Sequence, residues 1–252
     1  MILVKSAEET EIMARAGRIC AVALAAVRGI ISPGLSTKEI EKFAEDLIRK
    51  EGGRPAFLGY RGYPASICAS VNEQIVHGIP GERKLREGDI ISVDLGVEYR
   101  GFYGDAAMTF AVGEVSAEAR KLMRVTEESL DLGIRKAVAG GRLSDISHAI
   151  QSHAEENGFS VVRSFVGHGI GRALHEEPQV PNFGPPGRGP RLVSGMALAI
   201  EPMVNAGTWK VRILGDGWTA ITEDGRLSAH FEHTLVVGED RPAVLTRLPE
   251  AA

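Results

Sequence analysis

The chain has few of the features that mark secreted, membrane-bound or nucleic-acid-binding proteins. Its 252 residues contain only two cysteines, Cys20 and Cys68, and two widely spaced thiols do not make a disulfide framework. The formal net charge is -4, with 29 basic and 33 acidic side chains, so no basic surface is expected for nucleic acid or an anionic membrane. We therefore expect a cytoplasmic protein with a small or peptidic ligand, and no membrane or sequence-specific nucleic acid among its partners.

Long apolar runs are also missing. Residues 19–31 are apolar but short, and Arg28 interrupts them, whereas a membrane-spanning helix needs about 20 apolar residues. Lys5 and Glu8 lie where a signal peptide would need its apolar stretch. We interpret residues 19–31 as the buried part of a helix in a globular chain, whose 44% apolar content suffices for one large core or two fused halves.

Capping boxes predict where the first two helices begin. Ser6 is followed three residues later by Glu9, and apolar residues recur at helical spacing behind it. Ser36 and Glu39 repeat this pattern, and the glycines at 52–53 end the second helix.

The same order of a helix, a terminating glycine and a strand is predicted again about a hundred residues later. A helix begins near Ser144 and ends at Asn157 and Gly158, and two predicted strands each place an acid six residues after a glycine. The corresponding points and their offsets are Ser36 and Ser144 (108), Gly52 and Gly158 (106), and Gly88 and Gly195 (107). Coincidence among common turn residues is the alternative to a duplication. We predict one catalytic domain, residues 1–252, of α/β (α+β) class, with pseudo-repeats at 34–113 and 141–238, a shared sheet and outer helices.

Four carboxylates lie in apolar strand segments, at Asp94, Asp105, Glu201 and Glu232. Burying an unpaired carboxylate is costly, so such groups normally pair with a base or bind a metal ion. A single acid of this kind could face solvent from an edge strand, but four at equivalent places in two halves favour a shared metal site in the cleft between them.

His168 is flanked by Gly167 and Gly169, which allow another backbone, a metal ion or a ligand to approach closely. Alone it would be interpreted as a hydrogen-bonded loop histidine. Beside four carboxylates it becomes a candidate fifth ligand.

The order Asp94, Asp105, His168, Glu201, Glu232 resembles the metal-ligand set of the methionine aminopeptidases, which have the pita-bread fold. The supporting segments are 72–80, 93–96, 104–105, 167–178, 200–203 and 231–234, and the resemblance covers about residues 5–240. The resemblance is to the short type I form of these enzymes. The segments between His168 and Glu201 and between Glu201 and Glu232 have no room for the helical insertion of type II enzymes. The short stretch before the first helix predicts no additional zinc-finger or targeting segment.

The resemblance implies two divalent metal ions, with cobalt, manganese, iron and zinc all open as the native metal. It makes Asp94 a ligand of one ion, His168 and Glu201 ligands of the other, and Asp105 and Glu232 bridges between them. The ions would activate a water molecule for attack on the scissile carbonyl. Glu201 would take or relay its proton.

The resemblance also assigns residues around the metal site. His175 would contact the substrate carbonyl or oxyanion, and His77 the scissile amide nitrogen. Residues that would line the pocket for the methionine side chain are Tyr60, Tyr63, Cys68 and Trp218, with Phe57 and Leu174 beside them. A monovalent cation is expected near Asn72, Gln74 and Ser228. Without the resemblance, both histidines would be interpreted as ordinary loop residues.

The implied function is removal of the initiator methionine from nascent polypeptides whose second residue is small. An X-Pro aminopeptidase or prolidase of the same fold is the alternative, although those relatives usually carry an additional N-terminal domain. A catalytically inactive binding relative and a metal-free creatinase-like hydrolase are further alternatives, against which all five ligand positions argue. We expect a monomer whose partners are nascent N-termini, and a transient ribosome contact is left open.

Overall fold

Four helices lie around a mixed set of strands in the computed structural model, which describes residues 2–248. The helices are α1 (Ala7–Ile30), α2 (Thr37–Lys50), α3 (Ala117–Arg135) and α4 (Leu143–Glu156), with a 3-10 turn at Tyr60–Gly62. The strands are β1 (Arg54–Pro55), β2 (Cys68–Val71), β3 (Gln74–Val76), β4 (Ile90–Tyr99), β5 (Phe102–Ala111), β6 (Ser160–Val161), β7 (Gly167–Gly169), β8 (Glu176–Val180), β9 (Ala197–Ile200), β10 (Met203–Asn205), β11 (Val211–Ile213), β12 (Ala220–Thr222), β13 (Ser228–His230), β14 (Glu232–Val236) and β15 (Ala243–Val244).

The two predicted capping boxes are confirmed. The Ser6 hydroxyl accepts the Glu9 backbone N–H at 3.2 Å, and the Glu9 carboxylate accepts the Ser6 N–H at 2.9 Å. Ser36 and Glu39 make the same reciprocal pair. Nearly all of residues 19–31 lies within α1, as predicted, and none of the helices in residues 2–248 is long and apolar enough to cross a membrane.

The helix predicted to begin near Ser144 is α4, and its N-cap lies two residues before Ser144. Arg142 is the N-cap, because the Asp145 carboxylate accepts its backbone N–H at 2.9 Å. The Ser144 hydroxyl instead accepts the Arg188 N–H at 2.7 Å. The N-caps of α2 and α4 are therefore 106 residues apart, the same offset as Gly52 and Gly158.

A nine-stranded antiparallel sheet joins both parts of the chain, which confirms the shared sheet. Its order is β1-β4-β5-β14-β9-β7-β8, with β2 also paired to β4 and β15 to β14. The two parts meet where β5 pairs with β14. At that seam the Thr234 hydroxyl accepts the Asp105 N–H at 2.9 Å and donates to the Asp105 carbonyl at 2.8 Å.

Each part of the chain has its own apolar core between helices and sheet. In the first, Val93 and Leu95 of β4 pack with α1 and α2. In the second, Leu198 of β9 and Leu235 of β14 pack with α3 and α4. Alternate residues on these strands must face away from the helices. That the two parts arose by duplication stays an interpretation of the sequence.

Candidate active site

Strand register places the predicted acids on one face of the sheet. Asp94 of β4 and Glu232 of β14 are both paired with Ala107 of β5, which lies between them. Directly paired residues point to the same face, and so do residues two apart on one strand, so Asp105 joins them. The methyl group of Ala107 leaves open space between the carboxylates.

The same register brings His168 and Glu201 to this face. His168 of β7 is paired with Ala199 of β9, and Ala199 is paired with Thr234, two residues beyond Glu232. Glu201 comes directly after β9, two residues beyond Ala199. All five predicted metal ligands therefore converge where β4, β5, β14, β9 and β7 lie side by side.

The glycines around His168 are required by neighbouring backbone. A Cβ on Gly167 would overlap the Ala199 carbonyl, and a Cβ on Gly169 would overlap the Glu177 carbonyl. The His168 Nδ1 lies 2.9 Å from the Gly169 carbonyl oxygen and donates to it. The other ring nitrogen, Nε2, is then unprotonated and faces the acids, 3.6 Å from Glu201 Oε1.

The cluster has the character of a cation site. Asp105, His168 and Glu232 offer three ligand atoms that lie within 4.8 Å of one another. The buried oxygens Asp94 Oδ1, Asp105 Oδ1 and Glu232 Oε1 have no hydrogen-bond partner. No lysine or arginine in residues 2–248 pairs with any of the cluster acids, and Arg100 is exposed and stacks on Tyr99 instead.

Burial shifts the pKa values of these groups towards their neutral forms. The pKa of Asp105 is raised to about 7, and the pKa values of Asp94, Glu201 and Glu232 are raised well above their ordinary values. Burial is the main cause, followed for the latter three by repulsion between the carboxylates. Burial lowers the pKa of His168 to about 4. A neutral imidazole with unpartnered carboxylates fits divalent metal ions, which would supply the missing positive charge.

A cavity of about 150 Å³ opens beside the acids. It is lined by all the predicted metal, catalytic and methionine-pocket residues: Phe57, Tyr60, Tyr63, Cys68, His77, Asp94, Asp105, His168, Leu174, His175, Glu201, Trp218 and Glu232. Arg61 also lines it and was not among the predicted residues. The cavity thus has two kinds of lining. The proposed metal ligands form one part, and the other part, called the apolar wall below, consists of Phe57, Tyr60, Tyr63, Cys68, Leu174 and Trp218.

Two further histidines face this cavity. The His175 ring lies 4.1 Å from the His168 ring, between centroids, and stacks on Tyr60 at 5.2 Å. Burial, and then the neighbouring His168, lower the pKa of His175 to about 3. Burial also lowers the pKa of His77, which has a φ of +60° and meets Trp218 edge to face. Both imidazoles are therefore neutral near pH 7 and can donate a hydrogen bond.

The apolar wall is held by aromatic packing and one fixed hydroxyl. Tyr63 meets Trp218 edge to face at 5.1 Å between ring centroids. Its hydroxyl donates towards the carbonyl oxygens of Ile67 and Gly78, at 3.1 and 3.0 Å. Burial raises the pKa of the Cys68 thiol well above its usual range, so this wall carries no charge at neutral pH.

The residues expected near a monovalent cation lie close together but are engaged within the protein. The Asn72 side-chain oxygen accepts the Ile90 N–H, and the Gln74 side-chain oxygen accepts the Val71 N–H. The Ser228 N–H donates to the Asn72 carbonyl at 2.9 Å. The cation at this position stays a prediction.

Two features near the acids were not found from the sequence. His230 is buried, with its Nε2 3.8 Å from Glu201 Oε2 and neither ring nitrogen hydrogen-bonded. Lys5 forms a buried ion pair with Glu176, the residue after His175. The signal for His230 was its place two residues before Glu232, but Lys5 and Glu176 are too far apart in the chain for spacing to relate them.

Comparisons with known proteins agree with the fold and with the chemistry of the site. The model of metallopeptidase family M24 matches residues 11–239. Methionine aminopeptidase from Clostridium perfringens is 53% identical over 246 residues, which are 98% of this chain and 99% of the relative. Methionine aminopeptidase 1 from Bacillus subtilis is 53% identical over 248 residues, 98% of this chain and 100% of the relative.

Among solved structures, methionine aminopeptidase from Thermotoga maritima is 49% identical, has a TM-score of 0.97, and is matched over 98% of this chain and 100% of its own. The fold and the family match define a pita-bread metallopeptidase. The chain belongs to metallopeptidase family M24 and, within that family, to the methionine aminopeptidases. The X-Pro peptidase and inactive-relative alternatives are not favoured.

Proposed function

We propose that this protein removes N-terminal methionine from nascent polypeptides and peptides whose second residue is small, with two divalent metal ions. The observation that carries this proposal is the cavity itself, where the side chains of the five proposed ligands lie beside aromatic and apolar side chains. The family membership supplies the reaction class, hydrolysis of a peptide bond by a metal-dependent enzyme.

The ligand assignment follows the resemblance, and the unpartnered oxygens of Asp94, Asp105 and Glu232 support it. Asp94 would hold one ion and His168 with Glu201 the other, while Asp105 and Glu232 would bridge them. The bridging residues lie on neighbouring strands at the seam between the two parts of the chain, and each has an oxygen without a hydrogen-bond partner. Ions bound there would supply Lewis acidity to the carbonyl and lower the pKa of water. A donor set rich in oxygen suits manganese, iron or cobalt, and zinc also accepts it.

Glu201 is the proposed proton carrier. It is the acid that comes directly after its strand rather than within one, and it lies between His168 and His230, at 3.6 and 3.8 Å. A carboxylate beside the attacking water can accept a proton from it and later return that proton. We assign it removal of the proton from the attacking water and its delivery towards the leaving amine.

The neutral histidines are proposed to stabilise the reacting peptide group. His175 is fixed between the rings of His168 and Tyr60, so its N–H can be aimed at the carbonyl oxygen as negative charge develops there. His77 is held against Phe165 and Trp218, where it can donate to the scissile nitrogen.

The apolar wall is proposed to bind the methionine side chain. Tyr63, Trp218 and the uncharged thiol of Cys68 surround a narrow space, and a linear thioether gains from aromatic and sulfur contacts. The imidazoles of His77 and His175 flank the space for the next residue and narrow it. This arrangement supports selection of methionine first and of a small residue second.

The cellular compartment, the oligomeric state and the partners of the protein are also proposals. Both cysteines, Cys20 and Cys68, are free, which supports a reducing cytoplasm. We infer a monomer acting on nascent N-termini, and a transient contact with the ribosome is left open.

Hydrolysis of Met-Ala-Ser and Ala-Pro by metal-stripped protein tests the function. Adding cobalt, manganese, iron or zinc separately should restore cleavage of Met-Ala-Ser after the methionine and leave Ala-Pro intact. Cleavage of Ala-Pro alone would favour the X-Pro peptidase alternative. No hydrolysis with any metal, in protein that binds the metals, would favour an inactive relative.

A further inference from the structure

Arg61 is the only lysine or arginine that lines the cavity among residues 2–248. It lies in the 3-10 turn Tyr60–Gly62, is exposed, and has a φ of +50°. A left-handed backbone is uncommon for a residue with a side chain, and such strain is concentrated at functional sites. The turn therefore holds an arginine at the cavity mouth at some conformational cost.

A row of stacked rings connects Arg61 to the metal site. The His168 and His175 centroids are 4.1 Å apart, and those of His175 and Tyr60 are 5.2 Å apart. The Arg61 guanidinium carbon lies 5.4 Å from the Tyr60 centroid. Successive ring contacts thus connect the guanidinium to His168, a proposed metal ligand.

The charge of Arg61 is not neutralised by the protein. Within residues 2–248 no carboxylate lies within 4.0 Å of its guanidinium, and Glu176, which follows His175, pairs with Lys5 instead. The Arg61 side chain nevertheless lines the cavity. An unpaired cation at the mouth would attract negative charge on a ligand that extends outwards.

The length of the stack indicates which part of a peptide comes within reach. An extended peptide advances about 3.4 Å per residue. The distances from His168 to His175, from His175 to Tyr60 and from Tyr60 to the Arg61 guanidinium are each between 4.1 and 5.4 Å. Their sum is an upper limit on the distance between the His168 ring and the guanidinium. With the first residue at the metal site, residues three to five of the peptide can approach Arg61.

We propose that Arg61 selects for peptides with acidic side chains at residues three to five. This inference rests on the proposed function, because it assumes that the peptide enters with its first residue beside the acids. The guanidinium would pair with a carboxylate outside the cavity, adding a preference for the sequence beyond the small second residue.

Three amidated peptides test the preference without a terminal carboxylate. They are Met-Ala-Glu-Glu-Glu-Ser, Met-Ala-Ser-Ser-Ser-Ser and Met-Ala-Lys-Lys-Lys-Ser. Relative to wild type, R61Q should lower kcat/KM for the glutamate peptide about two- to fivefold more than for the serine peptide, as expected for a partly exposed ion pair. R61E should favour the lysine peptide, R61K should retain the wild-type order, and added salt should reduce the differences.

Arg100 provides a matched control. It has the same φ of +50° and stacks on the preceding tyrosine, Tyr99, at the same 5.4 Å, but it does not line the cavity. R100Q should leave the order of the three peptides unchanged. The inference is overturned if R61Q changes all three peptides equally, or if R100Q changes their order as R61Q does. Failure of wild type to cleave any of them would instead contradict the proposed function.

Discussion

The Lys5 ammonium and the Glu176 carboxylate are 2.6 Å apart, and their side chains are 3% and 11% exposed. The second Glu176 oxygen accepts the backbone N–H groups of Arg172 and Ala173, at 2.7 and 3.2 Å. A Cβ on Gly171 would overlap the Lys5 Cε and Nζ atoms, so a side chain at this position would have to displace the ion pair. The ion pair therefore ties the N-terminal segment to the loop that carries His175.

Breaking this ion pair should reduce both stability and turnover. Lys5→Met leaves a buried carboxylate without its partner, which costs about 3–5 kcal/mol in buried pairs. Because the loop also positions His175, kcat should fall while metal stoichiometry stays unchanged. Denaturant unfolding, metal analysis and kinetics measure the three effects.

The double variant Lys5→Met, Glu176→Gln separates charge from position. The glutamine oxygen can still accept the loop N–H groups, so part of the lost stability and turnover should return. If the double variant is less stable than Lys5→Met alone, the ion pair is not what holds the loop.

Neutralising a proposed bridging ligand should abolish activity and reduce metal binding. Asp105→Asn and Glu232→Gln each keep the shape of the side chain but remove the charge that would be shared by two ions. Metal content of the purified variants should fall below that of wild type. Glu114→Gln, at an acid whose side chain is 91% exposed, should bind metal and turn over normally. Two tightly bound ions and normal turnover in either site variant would contradict the bridging role.

Removing the His175 imidazole should affect turnover far more than metal content. Its proposed contact is with the charge that develops during reaction, and loss of such a donor costs on the order of 100-fold or more in kcat. The measurement is kcat of His175→Ala beside its metal stoichiometry. His148→Ala, at an exposed histidine of α4, is the control. Wild-type kinetics in His175→Ala would leave it an ordinary loop residue.

Metal binding should release protons near pH 6. Without metal, the raised pKa of Asp105, about 7, keeps its carboxyl largely protonated at that pH, and burial raises the pKa values of the other three acids in the same direction. The lowered pKa of His168, about 4, makes it already neutral and unable to release a proton. Calorimetric titration of stripped protein in two buffers of different ionisation enthalpy counts the protons.

The stability of the metal-free protein should depend on pH, because the pKa of Asp105 is raised in the folded state. A raised folded-state pKa contributes stability that is present below the ordinary pKa and is lost as pH rises through the folded value. For Asp105 the loss lies between about pH 4 and 7. Added metal should therefore raise the melting temperature more at pH 7.5 than at pH 5.5. Equal shifts at both pH values and no released protons would show that the carboxyls are ionised without metal.

Local sequence patterns predict the parts of this structure that depend on short-range interactions. The cap of α2 at Ser36 follows from Glu39 three residues later, and the burial of the Asp94 Oδ1 atom follows from the apolar neighbours of Asp94. The α4 cap could be predicted only to within a few residues, because only the fold shows that the Ser144 hydroxyl accepts a hydrogen bond from a distant loop.

The pairing of strands that are far apart in the chain could not be predicted from local sequence patterns. That Asp94 and Glu232 flank the same Ala107 depends on how β5 pairs with a strand about 125 residues away. The resemblance to a family brought the five ligands together before the structure did, but it gave no reason to notice Arg61 or Lys5. Their significance comes from what lies beside them in space.

The residue after the methionine should have to be small. The imidazoles of His77 and His175 both line the cavity beside the acids, and packing against Phe165 and Tyr60 fixes them. A larger second side chain would have to displace them, and each 1.36 kcal/mol of strain lowers the rate about tenfold. Met-Ala-Ser should be cleaved, while Met-Lys-Ser fails at the second position and Leu-Ala-Ser at the first. Comparable kcat/KM values for all three would indicate a broad aminopeptidase and contradict the selection proposed for both positions.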